Sequence, residues 1–294
     1  MSAIILMTWK EMMRKRVMLL SLLMTVVFLV AFWFVAKAIS SDMRLDGGMI
    51  GYEVDQLISR FIAGAIILTL GFFFGSFVIA FLSIFSSVGV IAGEAEQGVL
   101  QSMLPRPIAR WSWYLGRWIG FVSFGIAYGA LLFGSILFIG SMHAALPGDW
   151  EALLKSFALF ALVVPLLVSV SMLGSSFFSA IGNGVFMVML FGAGWLGGMI
   201  EKVTALEMLH DDRLKALNTI SGLFSMLMPV DSLQRRMLAE MFSLKELMGL
   251  VDINNTLGPF SFQQVPSNTF IVYSVCYTLA ALLVGMYMFQ RKDL

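Results

Sequence analysis

The chain has 294 residues, of which 59% are hydrophobic and 13% charged, and its mean hydropathy is +0.90. Soluble domains carry charges on about a quarter of their residues, so this composition excludes an ordinary soluble protein and indicates a polytopic membrane protein. A formal net charge of +1 gives no sign of nucleic-acid binding, and a single cysteine, Cys276, excludes a disulfide framework or a thiolate metal cluster.

The first two elements are a basic amphipathic helix and an apolar span. In residues 1–16, apolar and charged side chains alternate at helical spacing, which predicts a helix lying on the inner leaflet. Residues 17–39 are apolar apart from Lys37 and are long enough to cross a bilayer core of about 30 Å. This run exceeds the apolar core of a typical signal peptide, so we expect it to stay as a membrane anchor.

The second span is longer than a bilayer requires. Placed at residues 61–91, it would reach roughly 46 Å at about 1.5 Å per residue, so it must tilt, bend or project beyond the membrane. It leads into segment 93–110, a charged stretch set between two apolar runs. Gly93 is the first residue of this segment after the apolar run, and its backbone freedom suits a bend there.

Segment 93–110 has the pattern of a short amphipathic helix. Glu94 and Glu96 fall in its first turn, where carboxylates suit the exposed N–H groups and the positive dipole end. An apolar stripe follows that is too short to be stable without a partner surface. Pro105 and Pro107 end the helix, and arginines place cations beside lipid headgroups or an acidic partner. The stripe consists of Val99, Leu100, Met103 and Leu104, and the arginines are Arg106 and Arg110.

This segment resembles a signature found after the second span in the membrane subunits of ABC type-2 transporters, which are ATP-driven exporters. The matching residues are Gly93, Glu94, Glu96, Gly98, Leu100, Arg106, Pro107, Ile108 and Arg110, followed by Leu115, Gly116 and Arg117. The family usually has Thr where Val99 stands. The resemblance implies a cytoplasmic coupling helix that docks into a groove on an ATPase subunit; the alternative is an interfacial loop helix lying among headgroups.

Three further spans follow the segment. We place the third at residues 113–142, where tryptophans at its start suit the membrane interface. The apolar region 153–200 is too long for one crossing, and the Ser-rich stretch 175–183 is the natural place to divide it. This division gives the fourth and fifth spans, at residues 153–176 and 183–200.

Residues 201–268 form the one sizeable polar region. After Pro229, apolar residues at i, i+3 and i+4 spacing predict an amphipathic helix with charged side chains on its other faces. We expect either a cap on the outer face of the spans or a docking site for an extracytoplasmic partner or lipid substrate. The apolar residues are Val230, Leu233, Met237, Met241, Leu244 and Met248, and the charged ones are Arg235, Arg236, Glu240, Lys245 and Glu246. The sixth span is placed at residues 269–289, and residues 290–294 resemble the basic-Asp-Leu ending common in the family.

Six spans place both termini on one side, and the basic residues indicate which side. The termini and the connection between spans two and three hold nine of them, against four in the opposite short loops and span ends. By the positive-inside rule, both termini and segment 93–110 are cytoplasmic, in an inner or plasma membrane. The nine are Lys10, Arg14, Lys15, Arg16, Arg106, Arg110, Arg117, Arg291 and Lys292, and the four are Lys37, Arg44, Arg60 and Lys155.

Catalysis by this chain is not expected, because it has no G-x-x-x-x-G-K-[ST] loop to cradle ATP phosphates and no H-E-x-x-H metal motif. We therefore expect no cofactor in this chain. The resemblance implies two copies of an ABC ATPase subunit, which bind ATP and Mg, and a second permease subunit in a homodimer or homologous heterodimer. Membrane lipid is the remaining expected partner.

The sequence thus predicts an all-α permease with six transmembrane helices, a short cytoplasmic coupling helix and an extracytoplasmic amphipathic helical region between spans five and six. Its expected function is to use ATP-driven motion of the ATPase to move a substrate outward. Because the spans carry few hydroxyl groups, a hydrophobic or lipid-linked cargo, or no cargo, fits better than a sugar or an ion. Two alternatives stay open: a mechanical transmitter that remodels an extracytoplasmic partner through 201–268 without moving a substrate, and a scaffold or secondary carrier with no ATPase.

Overall fold

The computed structural model describes residues 1–46, 53–96, 109–144, 149–205, 213–242 and 265–291. These ranges form helices and contain no strand. The helices are α1 (Ser2–Arg14), α2 (Arg16–Asp46), α3 (Glu53–Ser87), α4 (Ala92–Glu96), α5 (Arg110–His143), α6 (Trp150–Gly174), α7 (Ala180–Ala205), α8 (Arg213–Leu227), α9 (Val230–Met241) and α10 (Asn268–Arg291). Six of them, α2, α3, α5, α6, α7 and α10, are long and apolar enough to cross a membrane, which confirms the predicted fold class.

The contacts between helix ends fall into two groups, one at each end of the bundle. At one end, the end of α3 meets the end of α6, and the start of α5 meets the last turn of α10. We call this the terminal end, since α1 also lies there. At the other, the loop end, α9 meets the start of α6, the end of α7 and the start of α10.

The centre of the bundle is formed by α3 and α6. In these two spans 72% and 67% of the most apolar stretch is buried, against 11% in α2. Aromatic rings from α3, α5 and α6 meet in this core: Phe72 lies 4.9 Å from Phe133 and 5.8 Å from Phe160, measured between ring centroids. The exposed apolar faces of the other spans are thus available to lipid or to another subunit.

The second span ends earlier than the sequence indicated. We expected it to continue to Ile91, but α3 ends at Ser87 and the chain turns through residues 88–91 before α4. Serine hydroxyls in the last turns of α3 bond back to carbonyls of the same helix, with Ser83 Oγ 2.7 Å from Ile79 O and Ser87 Oγ 2.7 Å from Ser83 O. Such back-bonding weakens and bends helices, which favours an end at this point.

The N-terminal helix α1 packs on the first turns of α5. Ile4 and Thr8 lie against Gly116 and Gly120, where the missing side chains permit close approach of the two helices. A Cβ atom added at Gly120 would lie 2.7 Å from Thr8 Cβ. The glycine spacing on α5 therefore serves to receive α1.

The amphipathic helix expected after Pro229 is present as α9, but its environment corrects the prediction. We expected Arg235 and Arg236 on faces away from the packed apolar stripe, yet both are buried, as is every described residue of α9 apart from the half-buried Glu240. Acidic and polar partners on α7, α9 and α10 surround the two guanidinium groups. The remaining predicted residues of this helix, Leu244, Lys245, Glu246 and Met248, lie outside the described residues.

Candidate coupling site

The structure describes both ends of segment 93–110. Gly93 and Glu96 are described in full, Glu94 by its backbone alone, and Arg110 begins α5. The other predicted residues lie outside the described ranges: Gly98, Val99, Leu100, Met103, Leu104, Arg106 and Pro107. The geometry below therefore concerns the entry to the segment and its exit.

Gly93 is not the bend that we expected from its backbone freedom. It lies inside α4, its φ is outside the left-handed region, and its N–H donates to Gly89 O at 3.0 Å. A Cβ added at Gly93 would lie 3.7 Å from Ala180 Cβ, an ordinary van der Waals distance. The bend falls instead at residues 88–91, because α3 has already ended at Ser87.

The start of α4 is capped by a side chain from another part of the chain. Ser175, the residue after α6, is fully buried, and its Oγ accepts hydrogen bonds from Ile91 N at 3.1 Å and Ala92 N at 3.0 Å. The first N–H groups of a helix have no partner within it, so a serine oxygen at this place performs the task of an N-cap. The segment entry is thereby bonded to the α6–α7 turn.

A buried asparagine joins the same three elements. The amide of Asn183, in α7, donates to Val88 O and to Ser171 O, both at 2.8 Å. Val88 belongs to the turn before α4, and Ser171 belongs to α6. Asn183 is seated against Gly174, where any Cβ atom would overlap its side-chain oxygen.

Glu96 makes the third link to the α6–α7 turn. Its Oε1 accepts a hydrogen bond of 3.4 Å from the backbone N–H of Ala180, the first residue of α7. A carboxylate at this place suits the positive dipole end of α7. Glu96 therefore belongs to the predicted coupling helix and also contacts the first residue of a span.

At the exit of the segment, Arg110 contacts the end of α10. Its Nη1 donates to Gln290 O at 3.2 Å, which satisfies a carbonyl in the last turn of that helix. Next to it, the rings of Trp113 and Phe289 stack with centroids 5.1 Å apart. Whereas the sequence suggested headgroups or an acidic partner for this arginine, the structure gives it a contact within the chain.

A buried ion pair holds α1 beside the segment exit. Arg117 is 1% exposed, pairs with Glu11, and lies over the rings of Trp113 and Phe121. The second oxygen of Glu11 pairs with Lys15 at 2.7 Å. Burial acts to raise the pKa of the Glu11 carboxyl, but the charges and hydrogen bonds of Arg117 and Lys15 outweigh it and hold that pKa below its ordinary value.

A second group of ion pairs lies at the loop end, where we define the loop-end cluster as Glu201, Lys202, Asp231 and Arg235. Asp231 is 5% exposed; its Oδ1 accepts a hydrogen bond from Lys202 Nζ at 3.2 Å, and its Oδ2 forms an ion pair with Arg235 Nε at 2.9 Å. Arg235 also reaches Glu201 at 2.5 Å. Two acids and two bases thus neutralise one another and attach α9 to the end of α7.

Sequence reasoning missed Ser175, Asn183 and Glu11 as contacts of the segment and its neighbours. Ser175 and Asn183 were read only as part of a polar stretch dividing two spans, although buried amides and hydroxyls in such a turn need partners. Glu11 was the only acid among the basic residues of the first helix, which could have signalled a buried cation nearby. Within the described ranges, no three His, Cys, Asp or Glu side chains are close enough to hold a metal ion.

Comparison with known proteins relates this chain to a family and to a bacterial membrane protein. The family model for ABC-2 family transporter proteins matches residues 3–294. The chain is also 30% identical, over 176 residues, to the uncharacterized transmembrane protein YxlG of Bacillus subtilis (strain 168), an alignment that covers 52% of this chain and 66% of the relative. The matched region thus spans slightly less than two thirds of that relative.

Proposed function

The chain belongs to the ABC-2 family of transporter proteins, and on that premise we propose that it is the non-catalytic permease subunit of an ATP-driven exporter. Segment 93–110 would receive motion from a separate ABC ATPase, present in two copies that bind ATP and Mg. A second permease, identical or homologous, would complete the complex. The observation that carries this proposal is the position of α4, which follows α3 after the turn at residues 88–91 and reaches the first residue of α7 through Glu96.

In the proposed mechanism, ATP closes the ATPase pair and the closing subunits push segment 93–110. Because the segment connects α3 with α5 and touches α7, the push would rotate α3 and α7 as rigid helices and open a path outward. The excess of basic residues at the termini and the α3–α5 connection supports a cytoplasmic terminal end in the inner or plasma membrane.

The region between α7 and α10 bears on the choice between export and mechanical transmission. A helix that remodels an extracytoplasmic partner needs an exposed face, whereas α9 is buried along its described length. That burial argues against α9 as the transmitting surface and supports a role for α9 in closing the path at the loop end. We propose a hydrophobic or lipid-linked cargo, since the spans are rich in Phe, Leu and Met.

The experiment that tests this function is affinity purification of the intact chain from mild detergent. Co-purifying proteins would be identified, and ATP hydrolysis by the complex would be measured. We expect a stoichiometric ABC ATPase that is lost when residues 94–104 are deleted and retained when Glu151, an exposed acid at the loop end, is replaced by Gln. A folded chain that brings no nucleotide-binding partner would instead support the scaffold or carrier function.

A further inference from the structure

The turn between α6 and α7 contributes two buried polar side chains to the entry of segment 93–110. Ser175 and Asn183 are both fully buried, and their combined hydrogen bonds reach Val88, Ile91 and Ala92. A hydrogen bond between exposed groups is easily replaced by one with water. The bonds of Ser175 and Asn183 cannot be replaced in this way, because breaking them would leave buried polar groups without partners.

We infer that Ser175 and Asn183 are positioning residues which fasten the entry of the coupling segment to α6 and α7, so that its motion reaches these two spans as well as α3 and α5, which the segment joins covalently. This inference rests on the proposed function and names the side chains through which it acts. Asn183 is central, because one amide group bonds to the turn before α4 and to α6 while belonging to α7. A displacement of the turn at residues 88–91 must therefore carry α6 and α7 with it or break both bonds.

Neighbouring contacts favour transmission over simple helix packing. Covalent connection already joins the segment to α3, and the turn after α3 meets α7 through an apolar contact, in which a Cβ added at Gly184 would lie 3.7 Å from Val88 Cγ2. Apolar contacts of this kind allow sliding, whereas hydrogen bonds with a fixed direction do not. The polar pair thus supplies the directional link that packing alone lacks.

The chain offers a matched control on the same helix. Ser171 is fully buried like Ser175 and lies one turn earlier, yet among the described residues its Oγ has no hydrogen-bond partner. The variant Ser171→Ala therefore removes a buried hydroxyl without removing a bond to the segment. The test variants are Ser175→Ala alone and Ser175→Ala combined with Asn183→Leu.

The test uses the complex of the full chain with its ATPase, and hydrogen–deuterium exchange is measured with and without a non-hydrolysable ATP analogue. In the wild type and in Ser171→Ala, we expect the analogue to change exchange in both peptides 88–96 and 175–185. In the double variant, the ATPase should remain bound and peptide 88–96 should still respond. The response of peptide 175–185 should be lost, and Ser175→Ala alone should reduce it at least twofold.

A persistent response of peptide 175–185 in the double variant would overturn the inference, even if the variant melts at a lower temperature, because the two side chains would then be structural only. Should the double variant fail to fold, Ser175→Ala decides, and a reduction of less than twofold in the response of peptide 175–185 would overturn the inference. Failure of the wild type to bind an ATPase, or to respond in either peptide, would overturn the proposed function and this inference together.

Discussion

The guanidinium of Arg117 is buried within α5 at the terminal end of the bundle, and its acidic partner is Glu11, on a helix that precedes the first span. Arg117 also contacts Thr8 Oγ1 at 3.4 Å. A buried cation of this kind is tolerated only when an opposite charge and hydrogen bonds surround it. Packing of α1 on α5 therefore stabilises α5, because it brings Glu11 to the buried charge of Arg117.

Replacing Glu11 by Ala should destabilise the protein by about 2–3 kcal/mol, because it leaves the Arg117 charge without its carboxylate. This value is at the low end for buried pairs, since the Glu11 side chain is 28% exposed and water can replace part of the interaction. Thermal unfolding in detergent would measure it. The control is Lys155→Ala, which removes an exposed pair with Glu151 and should leave the melting temperature unchanged.

The same pair predicts a dependence on pH. The pKa of Glu11 is lowered in the folded protein, so its contribution is present in full above the ordinary glutamate value of 4.5 and is lost as pH falls through the lowered pKa. Below 4.5, α1 should become progressively more sensitive to limited proteolysis. In Glu11→Gln this added sensitivity should be much smaller. Equal acid sensitivity in both proteins would assign the effect to other carboxyl groups.

The contact of α1 with Gly120 predicts a second difference between matched variants. Gly120→Ala would place a Cβ 2.7 Å from Thr8 Cβ, and the resulting overpacking should cost about 1–3 kcal/mol. Gly134→Ala, on the same helix, meets no atom within 4 Å and should leave stability unchanged or slightly raised. Melting temperatures of the two variants would decide, and similar losses in both would show that the α1 contact is not the cause.

Local sequence information was sufficient for the spans and insufficient for the contacts between them. An apolar run of about 20 residues is long enough to cross a bilayer wherever it occurs, so the six spans follow from the chain alone. The Arg117–Glu11 pair joins residues 106 positions apart, and the cap on Ala92 N comes from Ser175, 83 positions away. No periodicity within either stretch carries that information.

The charged residues of α9 are a second case in which the sequence did not reveal the contacts between helices. Helical spacing correctly placed Val230, Leu233 and Met237 on one packed stripe. It also placed Arg235 on another face of the helix, without indicating which groups that face would meet. The partners Glu201 and Asp231 become visible only when α7 and α9 are brought together.

A double-mutant cycle should detect the loop-end cluster. Asp231→Leu alone should cost about 3–5 kcal/mol, because it leaves the buried charge of Lys202 without its partner. Lys202→Met should cost less, since Asp231 keeps its ion pair with Arg235. The double variant should lose less than the sum of the two, by about 0.5–3 kcal/mol. The corresponding cycle on Glu151 and Lys155, an exposed pair, should give additive effects. Additive losses for Asp231 and Lys202 would contradict a direct interaction between them.

The acids of segment 93–110 give the prediction closest to function. Glu96→Lys would place a cation at the N-terminus of α7, where the helix dipole favours a negative charge, and would remove the acceptor for Ala180 N–H. We expect coupled ATPase activity to fall by up to about fivefold, which corresponds to about 1 kcal/mol for a charge at a helix end. Glu94→Lys should also lower it, while Glu96→Gln, which keeps an acceptor oxygen, should retain most of the activity.

The matched control is Glu151→Lys, since Glu151 is an acid at the N-terminus of α6, as Glu96 is an acid in contact with the N-terminus of α7, but lies at the loop end. Its coupled ATPase activity should equal that of the wild type when both are inserted in the membrane at equal levels. If the Glu96 and Glu94 variants kept full activity under the same conditions, neither acid would take part in coupling. Equal losses in all three variants would indicate that each charge reversal disturbs the fold, because only two of the three positions lie at the terminal end.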